Sequence, residues 1–243
     1  MILAHRGSSA CCPENTLEAF SLAVDQGADG IELDVHLSKD GEIVVAHDAM
    51  IDRVSDGKGH INDYTLDELK KFNFGKLFPG RSCSIPALKE VFSLIKPTSL
   101  SLNIELKCVD RIYNDLHVKL VNLAKEYSME DRIIYSSFNH YYLKSIQRAS
   151  PYSQIGLLYE MAMVDPWVYA NYMNAQWINP YYKIIAAFPE TVSRCHACGI
   201  KVSAWTLDDP DAINLMLKYN VDAVICERPD TALACRALYN QAD

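Results

Sequence analysis

The sequence of 243 residues has no apolar run of the roughly 20 residues that a membrane-spanning helix requires. It also lacks an excess of positive charge, since 23 lysines and arginines stand against 31 aspartates and glutamates, which gives a net charge of −8. A protein that binds nucleic acid through a broad basic face is therefore not expected. Stable insertion into a membrane is not expected either.

The features of a secreted, disulfide-linked protein are missing as well. An apolar strand follows Met1 at once and leaves no room for a signal peptide, so a cytoplasmic location is expected. In that compartment the eight cysteines should remain reduced. Only Cys195-His196-Ala197-Cys198 resembles a zinc or redox half-site, and it has no second pair nearby, so we interpret it as incidental.

Three carboxylates occur in apolar stretches that read as strands. Glu32 and Asp34 alternate with apolar residues over positions 31–35, so both project from one side of the strand. Glu105 lies in a further apolar stretch, residues 100–107, and shares a face with Lys107. Three oxygen ligands from two strands suit Mg²⁺ or Ca²⁺ and leave positions open for a ligand, although a pair of solvated strand acids remains the alternative for the first two.

Two histidines and an arginine accompany these acids. His5 and Arg6 follow the first apolar stretch, and His47 precedes Asp48. Histidine can accept and donate protons near neutral pH, and the guanidinium group of arginine can bind an anion. A phosphodiester that is cleaved with the help of a metal ion is the simplest substrate that needs all these groups.

An ordered series of motifs extends over essentially the whole chain. It comprises His5-Arg6-Gly7, Pro13-Glu14-Asn15-Thr16, Glu32-Leu33-Asp34-Val35, Ser38-Lys39-Asp40-Gly41, Val44-Val45-Ala46-His47-Asp48, Ile85-Pro86-Ala87-Leu88-Lys89-Glu90-Val91, Asn103-Ile104-Glu105-Leu106-Lys107, Ser136-Ser137-Phe138-Asn139, Gly199-Ile200-Lys201-Val202-Ser203-Ala204-Trp205-Thr206 and Val221-Asp222-Ala223-Val224-Ile225. This series resembles the glycerophosphodiester phosphodiesterase family in its short, cytosolic bacterial form.

The resemblance implies an enzyme that hydrolyses small-molecule glycerophosphodiesters to glycerol 3-phosphate and an alcohol, with one divalent cation, Mg²⁺ or Ca²⁺. An oligomer is possible. The residues that chemistry and resemblance together assign are the metal ligands Glu32, Asp34 and Glu105, the acid–base pair His5 and His47, and the substrate contacts Arg6, Lys107 and Trp205. Which histidine is the acid stays open, as does the choice between the two metals.

Two other activities remain open beside the hydrolysis of glycerophosphodiesters. A lysophospholipase D-like or cyclising phosphodiesterase would use the same fold, and a Schiff-base aldolase barrel would instead use Lys107 as its nucleophile. The chain has Cys226-Glu227 where the family usually has Thr-Asp, and His36 extends the face that carries the two strand acids. The roles of these three residues are left open.

Strands and helices alternate along the chain, which predicts a TIM (β/α)8 barrel in a single domain, residues 1–243. The strands are expected at 2–5, 31–35, 42–47, 100–107, 132–138, 154–159, 177–181, 201–207 and 223–227. Helices are expected at 15–27, 65–72, 116–127, 141–149, 165–173, 189–198, 212–219 and 231–239. A glycine-punctuated insertion is expected at about 48–96, after the second strand. The predicted site residues fall at the carboxyl ends of strands, where barrel enzymes carry their active sites.

Overall fold

The computed structural model describes residues 1–107, 113 and 115–242. The strands are β1 (Ile2–His5), β2 (Gly30–Leu37), β3 (Ile43–Val45), β4 (Ser101–Leu106), β5 (Ile133–Ser137), β6 (Gln154–Tyr159), β7 (Trp177–Pro180), β8 (Lys201–Ala204) and β9 (Ala223–Cys226). The helices are α1 (Leu17–Asp25), α2 (Leu66–Leu69), α3 (Leu88–Ile95), α4 (Leu116–Tyr127), α5 (His140–Ala149), α6 (Pro166–Met173), α7 (Tyr182–Ala187), α8 (Glu190–Ala197), α9 (Pro210–Lys218) and α10 (Pro229–Ala242).

Eight of the strands form a closed parallel barrel. Their order is β1-β9-β8-β7-β6-β5-β4-β2, and parallel pairing of β1 with β2 closes the ring. β3 lies outside it, antiparallel to the end of β2, with Val35 opposite Val45. The expectation of a TIM barrel is confirmed.

Side chains alternate between two environments along the barrel strands, and both are buried. On β2, Ile31, Leu33 and Val35 point outward into the main core beneath the helices. The inward positions near the amino ends of the strands hold a smaller apolar cluster, which includes Leu3 and Trp177. Toward the carboxyl ends, inward positions carry buried polar residues such as Glu32, Glu105 and Ser136, so polar groups concentrate at the mouth of the barrel.

A side insertion, residues 38–87, leaves the barrel after β2. It contains β3, a short 3₁₀ turn at Ile61–Asp63 and α2, which begins with a capping box formed by Thr65 and Glu68. Its apolar side chains form a core of their own, which consists of Val44, Ala46, Ile51, Ile61, Leu66, Leu69, Phe74, Ile85 and Ala87.

The helix α3 follows the side insertion and packs between α1 and α4 in the outer ring. Its buried side chains, Leu88 and Phe92 among them, belong to the main core. The sequence-based bounds of about 48–96 included this helix in the insertion, whereas the structure has it in the position of a barrel helix. Within the described residues, no helix is both long and apolar enough to cross a bilayer.

Candidate active site

The carboxyl ends of β1, β2 and β4 bring the predicted residues to one side of the barrel mouth. His5 pairs in register with Glu32, and Asp34 pairs with Glu105 on the next strand. Directly after β1 the chain turns sharply through Arg6 (φ 57°) and Gly7 (φ 82°). A side chain at Gly7 would meet Ala19 of α1 at 2.7 Å, so this tight turn requires glycine.

The three acids are deeply buried and close together. Glu32, Asp34 and Glu105 are 5%, 1% and 8% exposed, and one oxygen from each lies within 4.8 Å of the others. Burial and the charges of Asp34 and Glu105 raise the pKa of Glu32 well above its ordinary value. Burial and the charge of Asp34 raise the pKa of Glu105 to about 7. Without a cation, the site therefore disfavours full ionisation of the cluster.

Two cationic side chains lie against this cluster. The Lys107 ammonium is 2.9 Å from Glu105 Oε1 and 3.4 Å from Asp34 Oδ1, and Arg6 Nε is 3.5 Å from Asp34 Oδ2. Burial opposes ionisation of Asp34, but Lys107 and Arg6 hold its pKa well below the usual range. Asn15 Nδ2 donates to Asp34 Oδ2 at 2.9 Å. Asp34 is thus the most firmly anionic member of the cluster.

Asn15 and its neighbour have separate tasks. The hydroxyl of Thr16 accepts a hydrogen bond from the Ala19 amide and caps α1, while Asn15 orients Asp34. The structure therefore gives the helix cap to Thr16 and the contact with Asp34 to Asn15.

His47 comes from the side insertion, on the segment just after β3. Its Nδ1 is 2.6 Å from Asp48 Oδ1, which leaves Nε2 free for another group. Burial lowers the pKa of His47, and the nearby charges of Arg6 and Lys107 lower it further, against the opposing charge of Asp34. His47 is therefore biased toward the neutral form that accepts protons.

A chain of ion pairs connects His47 back to the first strand. Arg53 Nε donates to Asp48 Oδ2 at 2.5 Å, and its two terminal nitrogens donate to Glu14 at 2.8 and 2.7 Å. Glu14 in turn accepts from Arg6 at 3.0 Å. The sequence patterns do not identify Arg53, and they include Glu14 only as part of the Pro13-Glu14-Asn15-Thr16 motif. The one usable signal was that Asp48 directly follows His47.

His36 supports the backbone of this segment. It is 4% exposed, and its Nε2 is 3.1 Å from the carbonyl oxygen of His47. Because a carbonyl can only accept, Nε2 carries the proton, and Nδ1 faces the Tyr113 hydroxyl at 3.2 Å. Burial lowers the pKa of His36. His36 therefore holds His47 in place as a neutral side chain.

His5 faces two carboxylates. Its Nε2 is 3.9 Å from Glu32 Oε2, and its Nδ1 is 3.6 Å from Glu227 Oε1. The proximity of His5 lowers the pKa of Glu227. The neighbouring Cys226 is fully buried in the main core, so it takes no part in the mouth.

A cavity of about 90 Å³ lies between these groups and an apolar wall. Trp205 and Phe138 form the wall, packed edge to face with their ring centres 5.7 Å apart. The indole nitrogen of Trp205 donates to the Asn179 carbonyl at 2.8 Å, which fixes the ring. Of the eight predicted site residues, seven line the cavity, and Asp34 lies behind them within the acidic cluster. The charged side of the cavity, with Arg6 and Lys107, suits an anion, and the aromatic wall suits the carbon atoms of a ligand.

The sequence model of the "Glycerophosphoryl diester phosphodiesterase family" matches residues 5–231. The chain belongs to this family. The predictions of the family and of a phosphodiesterase enzyme are therefore confirmed.

Several curated relatives carry the name glycerophosphodiester phosphodiesterase. The protein of Caldanaerobacter subterraneus is 43% identical over 96% of both chains, and that of Bacillus altitudinis is 34% identical over 97% of both.

Solved structures are similar over nearly the whole chain. A phosphodiesterase of Oleispira antarctica, in complex with the product sn-glycerol-3-phosphate, has a TM-score of 0.90 at 28% identity and covers 98% of this chain and 96% of that one. A glycerophosphodiester phosphodiesterase of Agrobacterium tumefaciens has a TM-score of 0.84 at 26% identity, with coverages of 96% and 98%.

Proposed function

We propose that this protein hydrolyses glycerophosphodiesters to glycerol 3-phosphate and an alcohol, with one divalent cation and with His5 and His47 as the acid–base pair. The observation that carries the proposal is that both histidines flank one buried carboxylate cluster in a single cavity. The glycerol 3-phosphate in the Oleispira antarctica relative supports the substrate class. The apolar wall at Trp205 suits the carbons of the glycerol.

The carboxylates Glu32, Asp34 and Glu105 would hold the cation. They fit a hard ion such as Mg²⁺ or Ca²⁺, because all the donor atoms are oxygens and the negative charges of the three carboxylates repel one another. In addition, Asp34 Oδ1 is buried and makes no hydrogen bond with any described residue. When bound, the cation would supply charge stabilisation at the phosphoryl oxygens.

The protein side chains would perform the remaining work. Arg6 and Lys107 supply local positive charge for the substrate phosphate, which the net charge of −8 would otherwise repel. One histidine removes the proton from the attacking water, and the other gives a proton to the departing alkoxide. After release of the two products, transfer of one proton between the histidines, through solvent, restores the starting state.

The protonation state of Lys107 disfavours Schiff-base chemistry. Burial alone would lower its pKa, but Asp34 and Glu105 outweigh this and raise the pKa above its ordinary value. A lysine held as an ammonium has no free electron pair with which to attack a carbonyl. Contact with the substrate phosphate is the better use of this residue.

The proposal is tested by glycerol 3-phosphate release from glycerophosphocholine, with EDTA and then with added Mg²⁺ or Ca²⁺. EDTA should abolish turnover and one of the two ions should restore it, whereas full turnover in chelated protein would refute the metal. Phosphorus NMR of the products separates hydrolysis from cyclisation, since a cyclic phosphodiester would identify the cyclising reaction instead.

The histidines are tested through the leaving group. His5→Ala and His47→Ala should each lower kcat on the order of 10²–10⁴-fold with an alkyl diester. An aryl diester such as a nitrophenyl ester departs without a proton, so it should rescue only the variant that lacks the acid. Equal losses on both substrates would contradict the division into acid and base.

We further propose that residues 1–243 form one domain, because the side insertion and α3 both pack on the barrel. The cytoplasmic location and the oligomeric state stay predictions.

A further inference from the structure

The two catalytic histidines have similar surroundings at Nδ1. Asp48 binds this atom of His47 at 2.6 Å. In His5 the same atom is buried, has no hydrogen-bond partner among the described residues, and faces Glu227 Oε1 at 3.6 Å. Each imidazole therefore has a carboxylate facing its Nδ1.

The backbone of Glu227 is fixed opposite His5. Ala4 pairs in register with Cys226, so Glu227 is the next residue along and faces the end of β1. Its amide donates to Asp208 Oδ1 at 2.7 Å, and its carbonyl accepts from the Ala10 amide at 3.2 Å. These bonds come from the loops on either side, so the carboxylate is held near His5 while its side chain stays 47% exposed.

We infer that Glu227 is the positioning residue of His5, an inference that rests on the proposed function. It accepts the Nδ1 proton of His5, which orients the ring and leaves Nε2 directed into the cavity, where it can take or give a proton. The 3.6 Å separation is longer than a hydrogen bond. Such contacts in ligand-free enzymes commonly tighten when the substrate binds.

A competing role for Glu227 is a direct contact with a cationic head group, since its carboxylate is half exposed at the mouth. The two roles differ in their kinetic signature. A positioning residue affects kcat with every head group and acts only when His5 is present. A head-group contact affects KM, and only with cationic alcohols such as choline.

The test compares Glu227→Gln, Glu227→Ala and Glu227→Asp with a matched control, Glu160→Gln, an exposed glutamate that also directly follows a barrel strand. With glycerophosphocholine and glycerophosphoglycerol alike, we expect the Gln and Ala variants to lose roughly 10–100-fold in kcat, a part of what positioned proton transfer contributes. KM should change little, Glu227→Asp should keep part of the activity, and the control should match the parent protein. A rise in KM confined to glycerophosphocholine would overturn the inference.

A double-mutant comparison tests whether Glu227 acts through His5 or whether its replacement disturbs the site in some other way. Adding Glu227→Ala to His5→Ala should cost no further activity, measured on glycerophosphocholine, because the residue acts through the missing ring. A further loss equal to that of the single variant would refute the positioning role.

A final readout does not depend on turnover. ¹⁵N NMR of the imidazole nitrogens, with the His5 signals assigned from His5→Ala, should report Nδ1–H in the parent protein and a changed tautomer in Glu227→Gln. An unchanged tautomer would overturn the inference even if the protein is an active phosphodiesterase. A changed tautomer in a protein without diesterase activity would instead refute the proposed function and leave the contact standing.

Discussion

Glu105→Gln should stabilise the protein when no metal is present, although it removes a proposed metal ligand. The pKa of Glu105 is raised from 4.5 to about 7, chiefly by burial. At pH 8 the carboxylate is ionised in both the folded and the unfolded chain, and a shift of this size then costs the folded state about 3 kcal/mol. Glutamine has a nearly equal shape and cannot ionise, so the substitution removes this cost.

The pH dependence follows from the sign of the shift. Below the unfolded pKa of 4.5 the group is neutral in both states and costs nothing. As pH rises through the folded pKa of about 7, the folded state holds its proton longer than the unfolded one, so stability falls. The parent protein should lose stability over this range in EDTA, and the variant should lose less.

The assay is thermal unfolding in EDTA at pH 5 and at pH 8. At about 2–4 °C per kcal/mol for a chain of this length, the variant should melt roughly 6–12 °C above the parent at pH 8, with a much smaller difference at pH 5. Saturating Mg²⁺ or Ca²⁺ should raise the melting temperature of the parent but not of the variant. Glu126→Gln, at an exposed glutamate on α4, is the control and should change little. A variant that melts below the parent at pH 8 would refute this account of the buried charge.

Three further predictions follow from contacts at the site and in the barrel. Arg53→Leu should lower kcat on the order of tenfold by releasing the carboxylate that holds His47, and a change in KM alone would contradict this role. Borohydride added with substrate should trap no adduct at Lys107, and Lys107→Arg should keep partial activity; an adduct seen by mass spectrometry would change the reaction class. Gly30→Ala should destabilise the protein by about 1–3 kcal/mol, because a Cβ there would lie 2.5 Å from the Ser101 carbonyl oxygen. An unchanged urea midpoint of unfolding would contradict this, since it would show that β2 and β4 can move apart to make room.

Much of the barrel follows from local sequence patterns. The expected strand at 154–159 and helix at 116–127 coincide with β6 and α4. The helix α7 was missed, because its six residues are too few to display a period and Tyr181 provides no side-chain cap. Its first turn is set by a tertiary contact, the hydrogen bond from the Tyr182 amide to the Trp205 carbonyl, which no local pattern encodes.

The candidate site, too, could be predicted only in part from local sequence patterns. Alternation along β2 was enough to place Glu32 and Asp34 on one face, since a strand has a fixed period. The ion pairs of Arg53 with Glu14 and Asp48 have no such signal. They join segments that meet only because the side insertion folds back over the loop after β1. The raised pKa of Glu105 likewise depends on burial, which the fold creates.

The origin of His47 has a consequence for how activity is lost. Seven of the eight predicted site residues belong to the barrel strands or directly follow them, but His47 belongs to the side insertion, which has its own small core. Cooperative units of this kind open with free energies below that of the whole molecule. On warming, catalysis should therefore cease while the barrel is still intact, and cooling should restore it. The enzyme would thus be inactivated reversibly below the temperature at which the barrel unfolds. Bound substrate would raise this inactivation temperature, because it contacts both the barrel and the side insertion.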